Sequence, residues 1–187
     1  MSETGHLGGA RRILVYGVTG SGKTTLARLI SEATGIAWID VDALTWEPAW
    51  TQVPAEEQHR RIAPICAGES WILDTAYASW RHVVLRRTEV IVALDYPRWV
   101  SFRRLLRRTL VRLVTREEVC NGNVESWRQV LSRDSILLWH FRSFAHKRAR
   151  IAEWAGSSSG PPVVRLRSPR ETSAWVADLR AGSQPAH

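Results

Sequence analysis

A glycine-rich segment between an apolar run and a helix-like run places the strongest constraint on the fold. Residues 17–24 read Gly-Val-Thr-Gly-Ser-Gly-Lys-Thr and directly follow the apolar run at 13–16. They fit the pattern G-x-x-x-x-G-K-[ST] in the strand, loop and helix context that this pattern requires. The glycines let the backbone wrap closely around a phosphate, with N–H groups at a helix N-terminus directed at its oxygens. We therefore predict a phosphate-binding loop rather than a glycine-rich turn without function.

The residue types in this loop predict how a nucleotide is held. Lys23 would place a positive charge beside the outer phosphates of ATP, and the Thr24 hydroxyl is suited to bind Mg²⁺. Mg·ATP is thus the expected cofactor. The expected nucleotide-binding residues are Gly17, Gly20, Ser21, Gly22, Lys23, Thr24 and Thr25.

The order of predicted elements indicates an α/β fold. Strands are predicted over 12–16, 37–40, 70–74, 89–95 and 163–167, and helices over 23–34, 54–67, from 97 onward and over 170–179. This alternation predicts a parallel five-stranded sheet with helices on both faces. A chain of 187 residues that is 44% apolar suits one domain, 1–187, with a sizeable core. Its last residues, 181–187, are expected to be disordered.

Cysteine usage and hydropathy bear on where the protein works. Cys66 and Cys120 lie far apart and form no metal-binding or disulfide pattern, which favours reduced thiols. Residues 1–12 lack the apolar core of a signal peptide, and no apolar run approaches the roughly 20 residues of a membrane span. We expect a cytoplasmic protein without a membrane partner.

Four carboxylates follow predicted strands. They are Asp40, Asp42, Asp74 and Asp95. In an open α/β sheet the ligand lies beyond the carboxyl ends of the strands, so these groups are candidates for holding Mg²⁺ and for orienting an acceptor. For any one of them, a helix cap or a turn is the alternative.

Arginine is concentrated in one segment. Residues 98–150 contain twelve arginines and one lysine against four acids, while the whole chain carries a net charge of +8. Such a run forms either a solvated helix face or a set of guanidinium groups around a polyphosphate. A third possibility is contact with the phosphate backbone of nucleic acid, although no nucleic-acid motif accompanies the charge.

The ten tryptophans fall into two groups. Trp46 and Trp50 follow Asp42 in a loop-like stretch and are candidates for stacking on an acceptor ring. Most others lie in apolar patterns and are expected in the core, among them Trp38, Trp71, Trp139 and Trp175.

The chain resembles the adenylate-kinase-like P-loop kinases from about residue 11 to 155. Within them the bacterial topology modulation proteins and adenylate-kinase-related kinases look most similar. The resemblance rests on segments 17–28, 40–42, 45–50, 71–74 and 94–98, the last followed by an arginine-rich helix. It implies a P-loop NTPase fold and an ATP-dependent kinase that moves the γ-phosphoryl group to a small acceptor. The alternative is an ATP-dependent nucleic-acid-associated or regulatory module.

The resemblance also implies roles for individual residues. Asp74 matches the aspartate that helps hold the Mg²⁺ water shell, and Asp40 and Asp42 match a pair that serves metal and acceptor. Arg104 and Arg108 match arginines for the nucleotide base and phosphates, and with Lys23 and Asp42 they form the expected catalytic set. The expected acceptor side is completed by Trp46, Trp50, Tyr77 and Arg81.

The resemblance assigns a helical lid to about residues 112–150. Its arginines are less certain contributors, namely Arg112, Arg116, Arg128, Arg133 and Arg142. Residues 120–125 contain an Asn-Gly pair that predicts a turn in this lid, with Glu125 either functional or part of the turn. Residues 74–77 read Asp-Thr-Ala-Tyr where the branch has Asp-Gly-Asn-Tyr, so the acceptor is left open.

Overall fold

A computed structural model describes residues 7–115, 118–119, 121, 123–124 and 136–183. Five strands form the main sheet: β1 (Arg12–Gly17), β2 (Trp38–Ile39), β5 (Trp71–Leu73), β6 (Val90–Leu94) and β9 (Val163–Leu166). The helices are α1 (Lys23–Thr34), α2 (Val41–Thr45), α3 (Ala55–Ala67), α4 (Arg81–Leu85), α5 (Arg98–Thr115), α6 (Ile136–Gly156) and α7 (Pro169–Ser183). Two short hairpins join β3 (Trp46–Glu47) to β4 (Thr51–Gln52) and β7 (Glu118–Val119) to β8 (Asn123–Val124).

The main sheet confirms the predicted architecture. Its strand order is β2-β5-β1-β6-β9, and every pairing is parallel. Ile13 lies opposite Ile72 on one side of β1, and Leu14 lies opposite Ile91 on the other. The central strands are continuous apolar runs because helices cover both faces of the sheet.

Two hydrophobic clusters lie on opposite faces. On one face, Leu26 and Ile30 of α1 pack with Trp175 and Leu179 of α7. On the other face, Ile62 and Cys66 of α3, Val84 of α4 and Ile151 of α6 pack with Trp71 of β5 and with Trp80. Burial raises the pKa of the Cys66 thiol to about 11, so this cysteine is an inert core residue. Cys120 lies outside the described residues.

One tryptophan expected in the core is on the surface. Trp139 is 53% exposed, whereas Trp71 and Trp175 are buried as predicted. Helix α6 buries the face that carries His140, Phe144 and Ile151. Since successive helical residues are about 100° apart, Trp139 is turned away from that face. Trp38 is half-buried beneath the Arg28 guanidinium, which lies 4.5 Å from its ring centroid.

Residues 181–183, which were expected to be disordered, belong to a helix. Helix α7 runs to Ser183, because Leu179 is buried against α1 and anchors its last turns. The expected disorder at 181–183 was therefore wrong, and 184–187 lie outside the described residues. Within the described part of the chain, no helix combines the length and apolarity needed to cross a bilayer.

The predicted lid segment is described at its two ends and at the short β7–β8 hairpin between them. Helix α5 continues to Thr115, and α6 begins at Ile136 and buries His140 and Phe144. Four residues assigned to the lid lie outside the described residues, namely Arg116, Glu125, Arg128 and Arg133.

Candidate active site

The glycine-rich loop joins β1 to α1 at the carboxyl end of the sheet. Gly20 and Gly22 have φ values of +80° and +98°, which side-chain-bearing residues rarely adopt. A Cβ on Gly20 would lie 2.5 Å from the Ser101 carbonyl oxygen and 2.8 Å from the Leu105 Cβ. The loop thus rests directly on the first half of α5, and its glycines are required by space as well as by conformation.

Lys23 folds back over this loop. Its Nζ donates a hydrogen bond to the Val18 carbonyl oxygen at 3.3 Å. Burial lowers the pKa of Lys23, while the negative charges of Asp42 and Asp74 oppose that shift. The ammonium group therefore lies at the loop, within reach of the charges of Asp42 on α2 and Asp74 after β5.

Thr24 and Asp74 form the second feature of the loop. The Thr24 hydroxyl donates to Asp74 Oδ2 at 2.6 Å, across the gap between α1 and the end of β5. Asp74 is only 4% exposed, and its Oδ1 has no hydrogen-bond partner among the described residues. Burial raises the pKa of Asp74, and the Thr24 hydrogen bond and the Lys23 charge oppose the rise. A hydroxyl beside a carboxylate oxygen without a partner is a donor set that fits Mg²⁺.

Asp40 and Asp42 have different partners although they are two residues apart. Asp40 Oδ1 caps α2 by accepting from the backbone N–H groups of Asp42 and Ala43, at 3.1 and 3.2 Å. Asp42 Oδ1 instead accepts from the Tyr77 hydroxyl at 2.9 Å. The capping role that the sequence left open thus applies to Asp40, and Asp42 faces the interior of the site.

Trp46 extends this network away from the loop. Its Nε1 donates to the Tyr77 hydroxyl at 3.3 Å, and its ring meets that of Trp50 edge-on with centroids 6.0 Å apart. Burial and the nearby Asp42 charge raise the pKa of Tyr77, so its hydroxyl remains a proton donor to Asp42. The predicted acceptor residues Asp42, Trp46, Trp50 and Tyr77 are therefore neighbours in space.

The predicted arginines of α5 lie beside the loop. Arg104 donates to the Ser21 carbonyl oxygen at 3.2 Å, and its guanidinium lies 5.5 Å from the Tyr96 ring centroid. Arg108 is close enough to Lys23 for its charge to lower the pKa of that lysine. Arg112 is half-buried on the same helix and Arg142 is exposed on α6. Asp95 has a structural role instead, because it accepts from Arg165 at 2.7 Å and pairs with Arg148 at 3.3 Å.

Three residues at the site were not expected from the sequence. Lys147 of α6 donates from Nζ to the Gly17 carbonyl oxygen at 3.3 Å. Asn121 donates to the carbonyl oxygens of Ala43 and Trp46, and Asn123 accepts from the Trp50 N–H at 2.6 Å. The available signals were weak: Lys147 is one of two lysines in the chain, and the two asparagines flank a turn-forming glycine.

Solved structures with the same architecture are P-loop kinases. A shikimate kinase from Acinetobacter baumannii in complex with shikimate aligns with a TM-score of 0.56 at 13% identity, over 95% of this chain and 97% of that one. A shikimate kinase from Bacteroides thetaiotaomicron gives a TM-score of 0.52 at 17% identity, over 92% and 97%. A gluconokinase from Sinorhizobium meliloti 1021 gives a TM-score of 0.51 at 20% identity, over 92% and 94%. The chain has the P-loop NTPase fold.

No protein-family model and no curated protein sequence matches this chain. Identities this low establish the fold alone, since one fold supports many activities. The function must therefore be argued from the residues of the site.

Proposed function

We propose that the protein is a P-loop phosphotransferase that moves the γ-phosphoryl group of ATP to a small hydroxylated or phosphorylated acceptor. The observation that carries this proposal is the position of Asp42. Its charge acts on Lys23 at the phosphate loop, and its carboxylate is also bonded to Tyr77 beyond the strand ends. A carboxylate between a phosphate loop and a group of aromatic side chains suits a kinase, which must align an acceptor with the γ-phosphate.

On the nucleotide side, the loop N–H groups and Lys23 would hold the phosphates. Arg104 and Arg108 lie close enough to the loop to stabilise the charge that develops during transfer. Thr24, Asp74 and Asp40 would hold Mg²⁺, which when bound neutralises phosphate charge. Because Asp40 Oδ1 caps α2, we assign Asp40 a lesser part in this set than Asp74.

On the acceptor side, Asp42 would orient the attacking hydroxyl and accept its proton. Tyr77 holds Asp42 in place and is itself held by Trp46. The Trp46 and Trp50 rings would cover the acceptor and exclude water, so that the γ-phosphoryl group is not lost to hydrolysis. Arg81 completes this side at the start of α4.

The contacts of α5 favour this proposal over a nucleic-acid-associated or regulatory module. Arg104 donates a hydrogen bond to the loop itself, and the charge of Arg108 lowers the pKa of Lys23. Among the described helices, α5 carries the most arginines, and two of them would thus serve the nucleotide. The finer assignment, to the topology modulation branch of the adenylate-kinase-like kinases and to the cytoplasm, is part of the same proposal and rests on the sequence.

Two substitutions on opposite sides of the site test the proposal. Lys23→Ala should lower affinity or turnover for Mg·ATP at least about tenfold, because it removes a charge at the outer phosphates. Asp42→Asn should abolish acceptor-stimulated ADP release while ATP affinity stays within about threefold. Calorimetry measures ATP affinity, and a panel of nucleosides, nucleoside monophosphates and hydroxylated metabolites measures stimulation. If no panel member stimulates and Asp42→Asn behaves as wild type, the chain is a nucleotide switch and the kinase proposal is wrong.

A further inference from the structure

Three cationic side chains from α4 and α6 surround Tyr16 at the end of β1. Lys147 Nζ lies 5.8 Å from the Tyr16 ring centroid while it donates to the Gly17 carbonyl oxygen. Arg81 and Arg150 both lie close enough to the Tyr16 hydroxyl for their charges to favour its ionised form, against the effect of burial. All three side chains are half-buried.

The acidic residues that the structure describes do not pair with these three cations. In the described part of the chain, none of Arg81, Lys147 and Arg150 has a carboxylate within ion-pair distance. The neighbouring Arg148 differs, because it pairs with Asp95 at 3.3 Å. The negative charge of Asp42 acts on Lys147, but the Asp42 carboxylate also accepts a hydrogen bond from the Tyr77 hydroxyl. Positive charge therefore accumulates near Tyr16, and its Lys147 member lies within reach of the Asp42 charge.

Keeping this charge together is unfavourable for the protein alone. Burial is the main cause that lowers the pKa of Lys147 to about 7, and the charges of Lys23 and Arg81 lower it further. An anion placed among the three groups would offset both the repulsion and the loss of hydration. Guanidinium and ammonium groups bind carboxylates and phosphates with charge-assisted hydrogen bonds.

We propose that Lys147, Arg81 and Arg150 bind an acidic group of the acceptor, which makes the acceptor a hydroxylated carboxylic acid or a phosphate ester. This inference rests on the proposed function and narrows its acceptor class. The acidic group sits beside Tyr16, and the hydroxyl to be phosphorylated points to Asp42. Neutral sugars, polyols and nucleosides lack the negative charge that would offset the charges of these three groups.

Matched acceptor pairs test this class directly. The pairs are an aldonic acid with its alditol, a sugar phosphate with its sugar, and a nucleoside monophosphate with its nucleoside. Each is assayed for Mg·ATP-dependent phosphate transfer, and the acids are also titrated by calorimetry in the presence of a non-hydrolysable ATP analogue. We expect an acid to act while its neutral partner does not. The pair that responds distinguishes a carboxylate from a phosphate.

Variants separate the acceptor from the nucleotide. Lys147→Met should raise the KM for the acidic acceptor at least about tenfold while the KM for ATP changes less than about threefold, and Lys147→Arg should restore much of the loss. Arg170→Met, which removes an exposed cation at the start of α7, is the control and should change neither value.

Each outcome has a defined meaning. If neutral partners act as well as acids, or Lys147→Met changes the KM for ATP alone, the subsite is wrong although the phosphotransferase stands. If acids bind in calorimetry and lose binding in Lys147→Met without any transfer, the subsite stands and the phosphotransferase is wrong. If acids neither bind nor react, the subsite is overturned.

Discussion

The phosphate side and the acceptor side of this site are built in different ways. On the phosphate side, Gly17 to Thr24 are contiguous in sequence, and Gly20 packs against the backbone of α5 with no room for a side chain. On the acceptor side, residues 46–52 form a small hairpin whose tip, Ala49 and Trp50, has φ values of +61° and +54°. Non-glycine residues adopt such values only when surrounding contacts hold them there.

Those contacts come from a distant part of the chain. Asn123 accepts from the Trp50 N–H and donates to the Glu47 carbonyl oxygen at 2.9 Å, and Asn121 donates to the Trp46 carbonyl oxygen at 2.7 Å. The phosphate side is thus specified by a local motif, and the acceptor side by side-chain amides more than 70 residues away. A site built this way can keep its nucleotide chemistry while its acceptor pocket changes.

The largest expected effect comes from filling the space beneath the phosphate loop. Gly20→Ala introduces a Cβ 2.5 Å from the Ser101 carbonyl oxygen at a φ of +80°. We expect ATP affinity to fall at least about 100-fold and stability to fall by more than about 2 kcal/mol. Calorimetry and denaturant unfolding measure the two effects.

Gly35→Ala is the matched control for that change. Gly35 also has a positive φ, +72°, but a Cβ there would meet no atom within 4 Å. It should cost about 1 kcal/mol of stability and leave ATP affinity unchanged. Equal losses of ATP affinity in both variants would show that the loop does not depend on its contact with α5.

The second effect concerns the metal on the phosphate side. Asp74→Asn keeps the shape and an acceptor for the Thr24 hydroxyl but removes the carboxylate charge. Mg²⁺ affinity or Mg²⁺-dependent turnover should fall about 10- to 100-fold. Metal titration of activity measures it.

Asp95→Asn tests whether that effect is specific to one strand end. Asp95 follows β6 and is held by Arg165 and Arg148, so its loss should lower the unfolding midpoint without changing Mg²⁺ dependence. If Asp74→Asn and Asp95→Asn give the same metal titration curve, Asp74 is not one of the proposed Mg²⁺ ligands.

The sequence predicted the glycine-rich loop and the helix that follows it for a physical reason. A G-x-x-x-x-G-K-T motif carries its own geometry, because glycine conformations and a helix N-terminus create the anion site. The apolar runs of β1 and β6 predicted a buried parallel sheet, since only a strand covered on both faces tolerates them. The prediction for Trp139 was wrong because a continuous apolar run in a helix does not fix which face of the helix is covered.

The sequence predicted the acceptor side less completely. Asp42, Trp46, Trp50 and Tyr77 were expected to meet, and they do. Lys147, Asn121 and Asn123 were missed because their partners are backbone carbonyl and N–H groups, which leave no trace in residue types. The sequence did not distinguish the roles of Asp40 and Asp42. In the structure, Asp40 caps α2 and Asp42 lies in its first turn, so their side chains have different partners.

A moderate effect is expected where the distant amide holds the acceptor hairpin. Asn123→Ala removes the acceptor of the Trp50 N–H and the donor to the Glu47 carbonyl oxygen. The KM for the acceptor should rise about five- to tenfold, since the loss of buried hydrogen bonds costs about 1–3 kcal/mol. ATP affinity should not change.

Gln52→Ala is the control for this hairpin, because Gln52 is exposed on β4 of the same hairpin. Steady-state kinetics measure the KM for ATP and the KM for the acceptor in each variant. An equal loss of ATP affinity in Asn123→Ala would mean that the hairpin supports the phosphate side too, and the division between the two sides would fail.

The smallest expected effect is a pH dependence confined to the acceptor side. The pKa of Lys147 is about 7, lowered by burial and by the charges of Lys23 and Arg81 against that of Asp42. The lysine is therefore charged below this pH and neutral above it. Since an acidic acceptor binds the charged form, its KM should rise between about pH 6.5 and about pH 8.5. We expect only about a threefold rise, because a neutral lysine amine still donates hydrogen bonds to the acid, which the methionine of Lys147→Met cannot do. Lys147→Arg should flatten the profile, since a guanidinium stays charged over this range. A rise of equal size in Lys147→Arg would assign the titration to another group and remove Lys147 from the acceptor subsite.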